Sequence, residues 1–246
     1  MKNLREIFFS LIVWLGGAIS TVFWGILSLI GSLFDSSGRW GHWCSRIWSK
    51  LNLFLGGARV EVKGAENVIR DGPQIFASNH QSICDILVLA GYLPVQFRWI
   101  AKKELFRIPF MGWHMSRGGY IRIDRSSMSQ SARSVRKAAA QIRGGTSVVI
   151  FPEGTRSPDG RLQSFKRGAF SLAILAQVPV VPVAISGSHK VVRKGSLRVH
   201  PGRIRVVIDK PIPTKDYTIK DKALLAEKVR SVIIKNLTSE ASNMVI

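Results

Sequence analysis

From position 58 onward the chain repeats one pattern: a short apolar or alternating run, a polar turn, then a longer stretch with helical spacing. Ala58-Arg59-Val60-Glu61-Val62 alternates and predicts a half-buried strand, followed by turns at Gly64 and Asp71-Gly72-Pro73. Residues 75–78 predict a short buried strand and 83–92 a helix; 97–101 and 120–124 predict further strands. A helix over 126–143 stops at Gly144-Gly145, and the continuous apolar run 147–151 suits a central parallel strand. A helix over 165–176, strands over 180–185 and 204–209, and an amphipathic helix over 221–237 complete the series. Strands alternating with helices predict one α/β domain over 58–246, with a mostly parallel central sheet flanked by helices.

The first 57 residues read differently. From Ile7 to Phe34 the chain runs 28 residues without a charge. As one helix that is about 42 Å, longer than the roughly 30 Å of a bilayer core. The run is too long for a cleaved signal peptide and lacks a small-x-small exit. Gly16-Gly17, Gly25 and Gly31 offer places to bend. Lys2 and Arg5 precede it and Arg39, Arg46 and Lys50 follow, so flanking charge does not choose between a spanning and a re-entrant helix. Over 38–55, Trp40, Trp43, Cys44, Ile47, Trp48, Leu51, Phe54 and Leu55 recur at helical spacing among bases, which predicts an amphipathic helix at a membrane interface rather than one packed in a core. The expectation is a membrane-embedded helical pair over 1–57 ahead of the α/β domain.

Charge narrows the partners. Lys and Arg number 36 against 15 Asp and Glu, a net +21, which favours an anionic partner: a bilayer, nucleic acid, or a phosphorylated or acidic substrate. No nucleic-acid motif accompanies the charge, and the apolar amino terminus argues for the bilayer. Cys44 and Cys84 lie in unrelated contexts with no metal-ligand spacing, so neither a disulfide nor a metal site is expected.

Three polar clusters fall at predicted strand ends, where ligands of parallel sheets gather. The first is Ser78-Asn79-His80-Gln81-Ser82-Ile83-Cys84-Asp85, which sets His80 and Asp85 five positions apart across a strand-to-helix turn. A carboxylate bonded to one ring nitrogen leaves the other free to take a proton, and an imidazole's ordinary pKa of about 6.5 suits a base near neutrality. The competing reading is a capped turn beside a surface histidine. The second and third clusters are Asp124-Arg125 and Glu153-Gly154-Thr155-Arg156. Arg156 and Arg125, with Lys103, could surround one phosphate. There is no GxSxG elbow and no phosphate-binding GxxxxGK[ST] or GxGxxG. Without a placed nucleophile, the His–Asp pair fits direct activation of a substrate hydroxyl. Cys84 reads as a small buried residue, and His42, His114, His189 and His200 as packing or surface residues.

Four ordered blocks then resemble the glycerolipid acyltransferase family, and within it the 1-acyl-sn-glycerol-3-phosphate acyltransferases. They are Asn79-His80-Gln81-Ser82-Ile83-Cys84-Asp85; Gly119-Tyr120-Ile121-Arg122-Ile123-Asp124-Arg125; Phe151-Pro152-Glu153-Gly154-Thr155-Arg156-Ser157; and Val178-Pro179-Val180-Val181-Pro182-Val183-Ala184. The match spans roughly 60–210. It implies a glycerol-3-phosphate acyltransferase-like fold, in which His80 deprotonates the sn-2 hydroxyl of lysophosphatidate and Asp85 orients His80. It implies that Lys103 (or adjacent Lys102), Arg125, Glu153, Gly154, Thr155 and Arg156 hold the glycerol phosphate. Val178, Pro179 and Pro182 would line the acyl site. The donor would be a thioester of acyl carrier protein or coenzyme A, with no metal or other cofactor, at the cytosolic face of a bacterial inner membrane. Glycerol 3-phosphate, another lysophospholipid or a lyso-aminolipid are alternative acceptors, and an inactive basic membrane-binding protein is the non-enzymatic alternative. One departure stands out: Arg122 occupies a position where the family more often has an apolar residue.

Overall fold

The computed structural model describes residues 2–108, 111–124 and 126–242. Among these, one sheet holds seven strands in the order β1-β7-β6-β2-β5-β3-β4. They are β1 (Ala58–Lys63), β2 (Ile75–Ser78), β3 (Arg98–Lys102), β4 (Ile121–Ile123), β5 (Val148–Ile150), β6 (Val180–Ser186) and β7 (Gly202–Ile208). The helices are α1 (Lys2–Gly31), α2 (Arg39–Leu55), α3 (Cys84–Tyr92), α4 (Met111–Arg117), α5 (Met128–Arg143), α6 (Gly168–Ala176), α7 (Ser188–Val191) and α8 (Lys222–Ser242). Every strand pair is parallel except β6 with β7. The reversal there follows from the link 187–201, whose single short helix α7 returns the chain beside β6 without a crossover. The mostly parallel sheet expected from the sequence is present.

Alternation along the central strands divides the core between the two faces of the sheet. Ile75 and Ala77 of β2, with Val148 and Ile150 of β5, pack against α5, α6 and α8. Phe76 and Val149 point the other way, toward α3 and Leu53 of α2. Phe76 and Ile75 are fully buried, each such side chain contributing about 1.5–3 kcal/mol of apolar burial. With both faces covered, the parallel strands are continuously apolar, and the polar positions collect at their ends.

The amino-terminal segment differs from expectation in one respect. The glycines do not bend it: α1 is one continuous helix of 30 residues. Gly16, Gly17 and Gly31 instead lie against α2, while Gly25 faces open space. A Cβ on Gly17 would lie 3.0 Å from Asn52 Oδ1 and one on Gly16 3.4 Å from Leu55 Cδ1. Around them, Asn52 Nδ2 donates to Ser20 Oγ at 3.2 Å and Trp48 Nε1 to Thr21 Oγ1 at 3.1 Å. The aromatic stripe of α2 is divided: Cys44 and Leu53 are buried, while Trp43, Leu51 and Phe54 stay exposed. Exposed too are Leu4, Phe8, Leu11, Leu15, Ile19 and Phe23 of α1. By length and composition, 3–31 is long and apolar enough to cross a membrane.

Candidate active site

The site is built on the turn that leaves β2. Asn79 fastens the strand end to β6 with two bonds, Nδ2 to Ile185 O at 2.8 Å and Ile185 N to Asn79 Oδ1 at 2.7 Å. Ser82 Oγ donates to Val192 O at 2.7 Å, tying the other side of the turn to the end of α7. Between these anchors sits His80, its side chain 12% exposed, and in the first turn of α3 sits Asp85, fully buried. His80 Nδ1 lies 2.9 Å from Asp85 Oδ2. The same oxygen accepts Gln81 N at 2.6 Å and Ser82 N at 2.8 Å. A carboxylate can only accept, so Nδ1 carries the proton and Nε2 is left with its lone pair. Two backbone N–H groups of the turn are thus directed at this carboxylate, which lies in the first turn of α3.

The loop after β5 grips His80 from outside. His80 N donates to Glu153 Oε1 at 2.7 Å, and His80 O accepts from Ser157 N at 2.8 Å. The imidazole stacks on Phe151 with centroids 3.9 Å apart and planes 13° apart, and Trp99 stacks behind Phe151. Ring plane, tautomer and backbone of His80 are therefore each held by a separate group. Glu153, 3% exposed, uses its second oxygen to accept Gln163 N at 3.1 Å. Burial pushes its carboxyl above the ordinary range, against the opposing pull of those two N–H donors. Gly154 has φ +75°, a left-handed conformation that glycine adopts without strain.

The cation candidates lie along the same edge. Lys103 opens a 3-10 turn after β3, and its Nζ donates to Asp124 Oδ2 at 2.8 Å at the end of β4. This bond, with those from Ser126, holds the Asp124 carboxyl down to about 2. Lys102 is the last residue of β3. Arg156 is half-buried and Thr155 exposed; Lys194 Nζ donates to Arg156 O at 2.7 Å and reaches Thr155 Oγ1 at 3.4 Å. Arg125 lies outside the described residues. Arg122 is exposed, its guanidinium 4.4 Å from the centroid of the Phe106 ring, a cation–π contact. Because β2, β5 and β3 are neighbours and parallel, the segments bearing His80, Glu153–Arg156 and Lys103 leave the sheet at one edge.

Val178, Pro179 and Pro182 are not brought to that edge. Val178 and Pro179 stand at the amino end of β6, where Pro179 O accepts Ile75 N. Pro182 is level with Ala77 inside the sheet. From Pro179 to the level of Ser78 is about 13 Å at 3.3 Å per residue.

Several residues around the turn had no assigned part in the site. Gln81 Nε2 donates to Gly160 O at 2.7 Å, and its Oε1 lies 3.3 Å from His189 Nδ1. Gln81 and Phe151 stood inside conspicuous motifs; His189 carried no local signal. Cys84 is buried and its thiol is pushed up to about 11 by that burial, which removes it as a nucleophile near neutrality.

The same edge lies within a stretch that matches a known family. Residues 59–186 match the family model described as Acyltransferase. The 1-acyl-sn-glycerol-3-phosphate acyltransferase LPAT1, chloroplastic, of Arabidopsis thaliana is 37% identical over 86% of this chain and 60% of its own length. A Brassica napus relative named 1-acyl-sn-glycerol-3-phosphate acyltransferase BAT2, chloroplastic, is 35% identical over 96% of this chain and 67% of its own. The chain thus spans about three fifths to two thirds of the length of these two curated relatives. The crystal structure of the 1-acyl-sn-glycerophosphate (LPA) acyltransferase PlsC from Thermotoga maritima is similar with a TM-score of 0.85, at 27% identity, over 98% of each chain. A family match over more than half the chain, joined to relatives of this identity and coverage, settles its membership: the chain belongs to the acyltransferase family.

Proposed function

We propose that the protein transfers a fatty acyl group from a thioester to the sn-2 hydroxyl of 1-acyl-glycerol 3-phosphate, giving phosphatidate. The observation that carries this is the His80–Asp85 pair, with Nδ1 bonded to a buried carboxylate at 2.9 Å and the ring stacked on Phe151. The names of the relatives support the choice of acceptor. His80 Nε2 takes the hydroxyl proton as the oxygen attacks the thioester carbonyl. The resulting tetrahedral adduct expels the thiolate, which recovers the proton from His80. Asp85 holds the tautomer and offsets the imidazolium charge while it lasts.

Lys103 and Arg156, with Arg125, are the cations for the acceptor phosphate. Glu153 acts from behind as a positioning residue, since its two oxygens are directed at the backbones of His80 and Gln163. The acyl carrier enters as co-substrate. We assign 1–57 as the membrane anchor and 58–246 as the catalytic domain, at the cytosolic face of a bacterial inner membrane. The apolar exposed face of α1 supports the membrane association in that reading.

The test is a donor-by-acceptor activity matrix on full-length protein in detergent. Thioester-dependent acylation of lysophosphatidate is expected, ahead of glycerol 3-phosphate and of acceptors lacking phosphate. A best acceptor without phosphate would overturn the cation assignment, and normal turnover by His80→Ala would overturn the chemistry.

A further inference from the structure

One basic stretch of surface has no part in the reaction just described. From Ser126 to Pro152 there is no acidic residue, and the stretch carries Arg133, Arg136, Lys137 and Arg143. Arg143 turns back to the carbonyls of Leu175 and Ala176 at the end of α6. Arg133, Arg136 and Lys137 are three and four residues apart, so they share one face of α5. All three are exposed, and none has an ion-pair partner among the described residues. Like charges at this spacing work against the helix. Folding gives no reason for them; an anionic partner does. In the first turn of the same helix, Met128 is 93% exposed, an adaptable apolar contact at the end of the basic face.

A bilayer and an acidic protein are both anionic, and the position of α5 favours the protein. α5 packs on the sheet face it shares with α6 and α8, whereas α2 and the apolar residues Phe9 and Val13 of α1 pack on the opposite face. With packed layers about 10 Å apart, α5 and α2 are separated by about 20 Å of protein. A Debye length near 8 Å at physiological salt leaves little attraction between α5 and a bilayer held by the amino-terminal helices. The relation to His80 is closer. α5 follows β4, three strands from β2, or about 14 Å across the sheet, and begins on the carboxyl edge where His80 lies. A thioester on a flexible arm spans that distance.

We propose that the Arg133, Arg136 and Lys137 face of α5 docks an acidic acyl carrier protein, whose arm delivers the thioester to His80; the proposal rests on the acyl-transfer reading above. The test compares wild type with the triple variant Arg133→Glu, Arg136→Glu, Lys137→Glu, full-length and in detergent, using palmitoyl carrier protein and palmitoyl coenzyme A as donors. The KM for the carrier protein is expected to rise about tenfold or more, with turnover on coenzyme A kept within about twofold. Co-flotation with anionic vesicles is expected to be unchanged. Equal losses with both donors, or loss of vesicle binding, would overturn the proposal; the second result would give the surface to the membrane. Binding of fluorescent carrier protein, read at about 50 and about 300 mM salt, does not depend on turnover. Salt-sensitive binding lost in the variant, with no acylation of lysophosphatidate by wild type, would sink the proposed reaction and keep the docking face. Coenzyme A-dependent acylation without any carrier binding would do the reverse.

Discussion

Two pairs at the carboxyl edge have nearly the same length and different natures. His80 Nδ1 and Asp85 Oδ2 are 2.9 Å apart; Lys103 Nζ and Asp124 Oδ2 are 2.8 Å apart. In the first pair the carboxylate is fully buried and two backbone N–H groups share its oxygen. In the second both side chains are about a quarter exposed, and the partners beside Lys103 come from the adjacent Ser126. A buried, backbone-anchored acceptor can hold one tautomer through many turnovers, because breaking it strands a charge away from water. A partly exposed ion pair exchanges readily with water and adds little to stability. On the proposed reading, the difference would separate a base that must stay in one state from a cation that must release one anion for another.

The largest effects are expected at the buried pair. His80→Ala should lower kcat by roughly 10²–10⁴-fold through lost proton transfer, read by single-turnover acylation with circular dichroism to confirm folding. Asp85→Asn should lower kcat and also cost about 1–3 kcal/mol in urea denaturation, because Gln81 N and Ser82 N lose a charged acceptor. Asp124→Asn serves as the control. If it destabilises as much as Asp85→Asn, the contrast between the two pairs fails.

The buried pair was legible in the sequence because a turn of five positions at a strand end leaves few geometries. The sheet was legible for a similar reason: the runs at 75–78, 147–151 and 180–185 are apolar on both faces, as enclosed parallel strands must be. The orientation of Glu153 toward the backbone of His80 was hidden. Which way its carboxylate turns depends on the loop 152–157 folding back onto His80, a contact 73 residues apart in the chain. Val178 and Pro179 show the same limit. Their block is conspicuous, yet only the register of β6 on β2 reveals that they stand at the strand's far end. The short helix α4 had no periodicity long enough to read. Gly16, Gly17 and Gly31 of α1 looked like hinges because the helix they contact was not yet in view.

Glu153→Gln probes the support behind the first pair. The folded carboxyl is raised by burial, so the folded state holds its proton at a pH where the unfolded chain, at an ordinary 4.5, has released it. Stability contributed by this group is therefore greatest at low pH and falls as pH rises from 4.5 through the folded value. Glutamine cannot ionise, so the variant should lose that slope in urea titrations between mildly acidic and neutral pH. The new amide must also face one of two backbone donors, so kcat should fall as the mount of His80 loosens. A variant with the wild-type slope would remove Glu153 as the source.

The smallest effect is expected at the exposed pair, and it sharpens the comparison most. In Lys103→Ala the Asp124 carboxyl loses its largest stabilising bond and should rise from about 2 toward the ordinary 3.8. Asp124 now contributes stability that is complete above 3.8 and is lost as pH falls toward about 2. The variant should therefore lack part of this small contribution near neutrality, and the two proteins should converge as pH falls toward about 2, visible as a shallower acid limb in urea titrations. If Lys103 also binds the acceptor phosphate, KM for lysophosphatidate rises while kcat is kept, the pattern of a contact made equally in ground and transition states. A fall in kcat with KM unchanged would instead put Lys103 with His80 and Asp85, in the machinery that acts only on the reacting atoms.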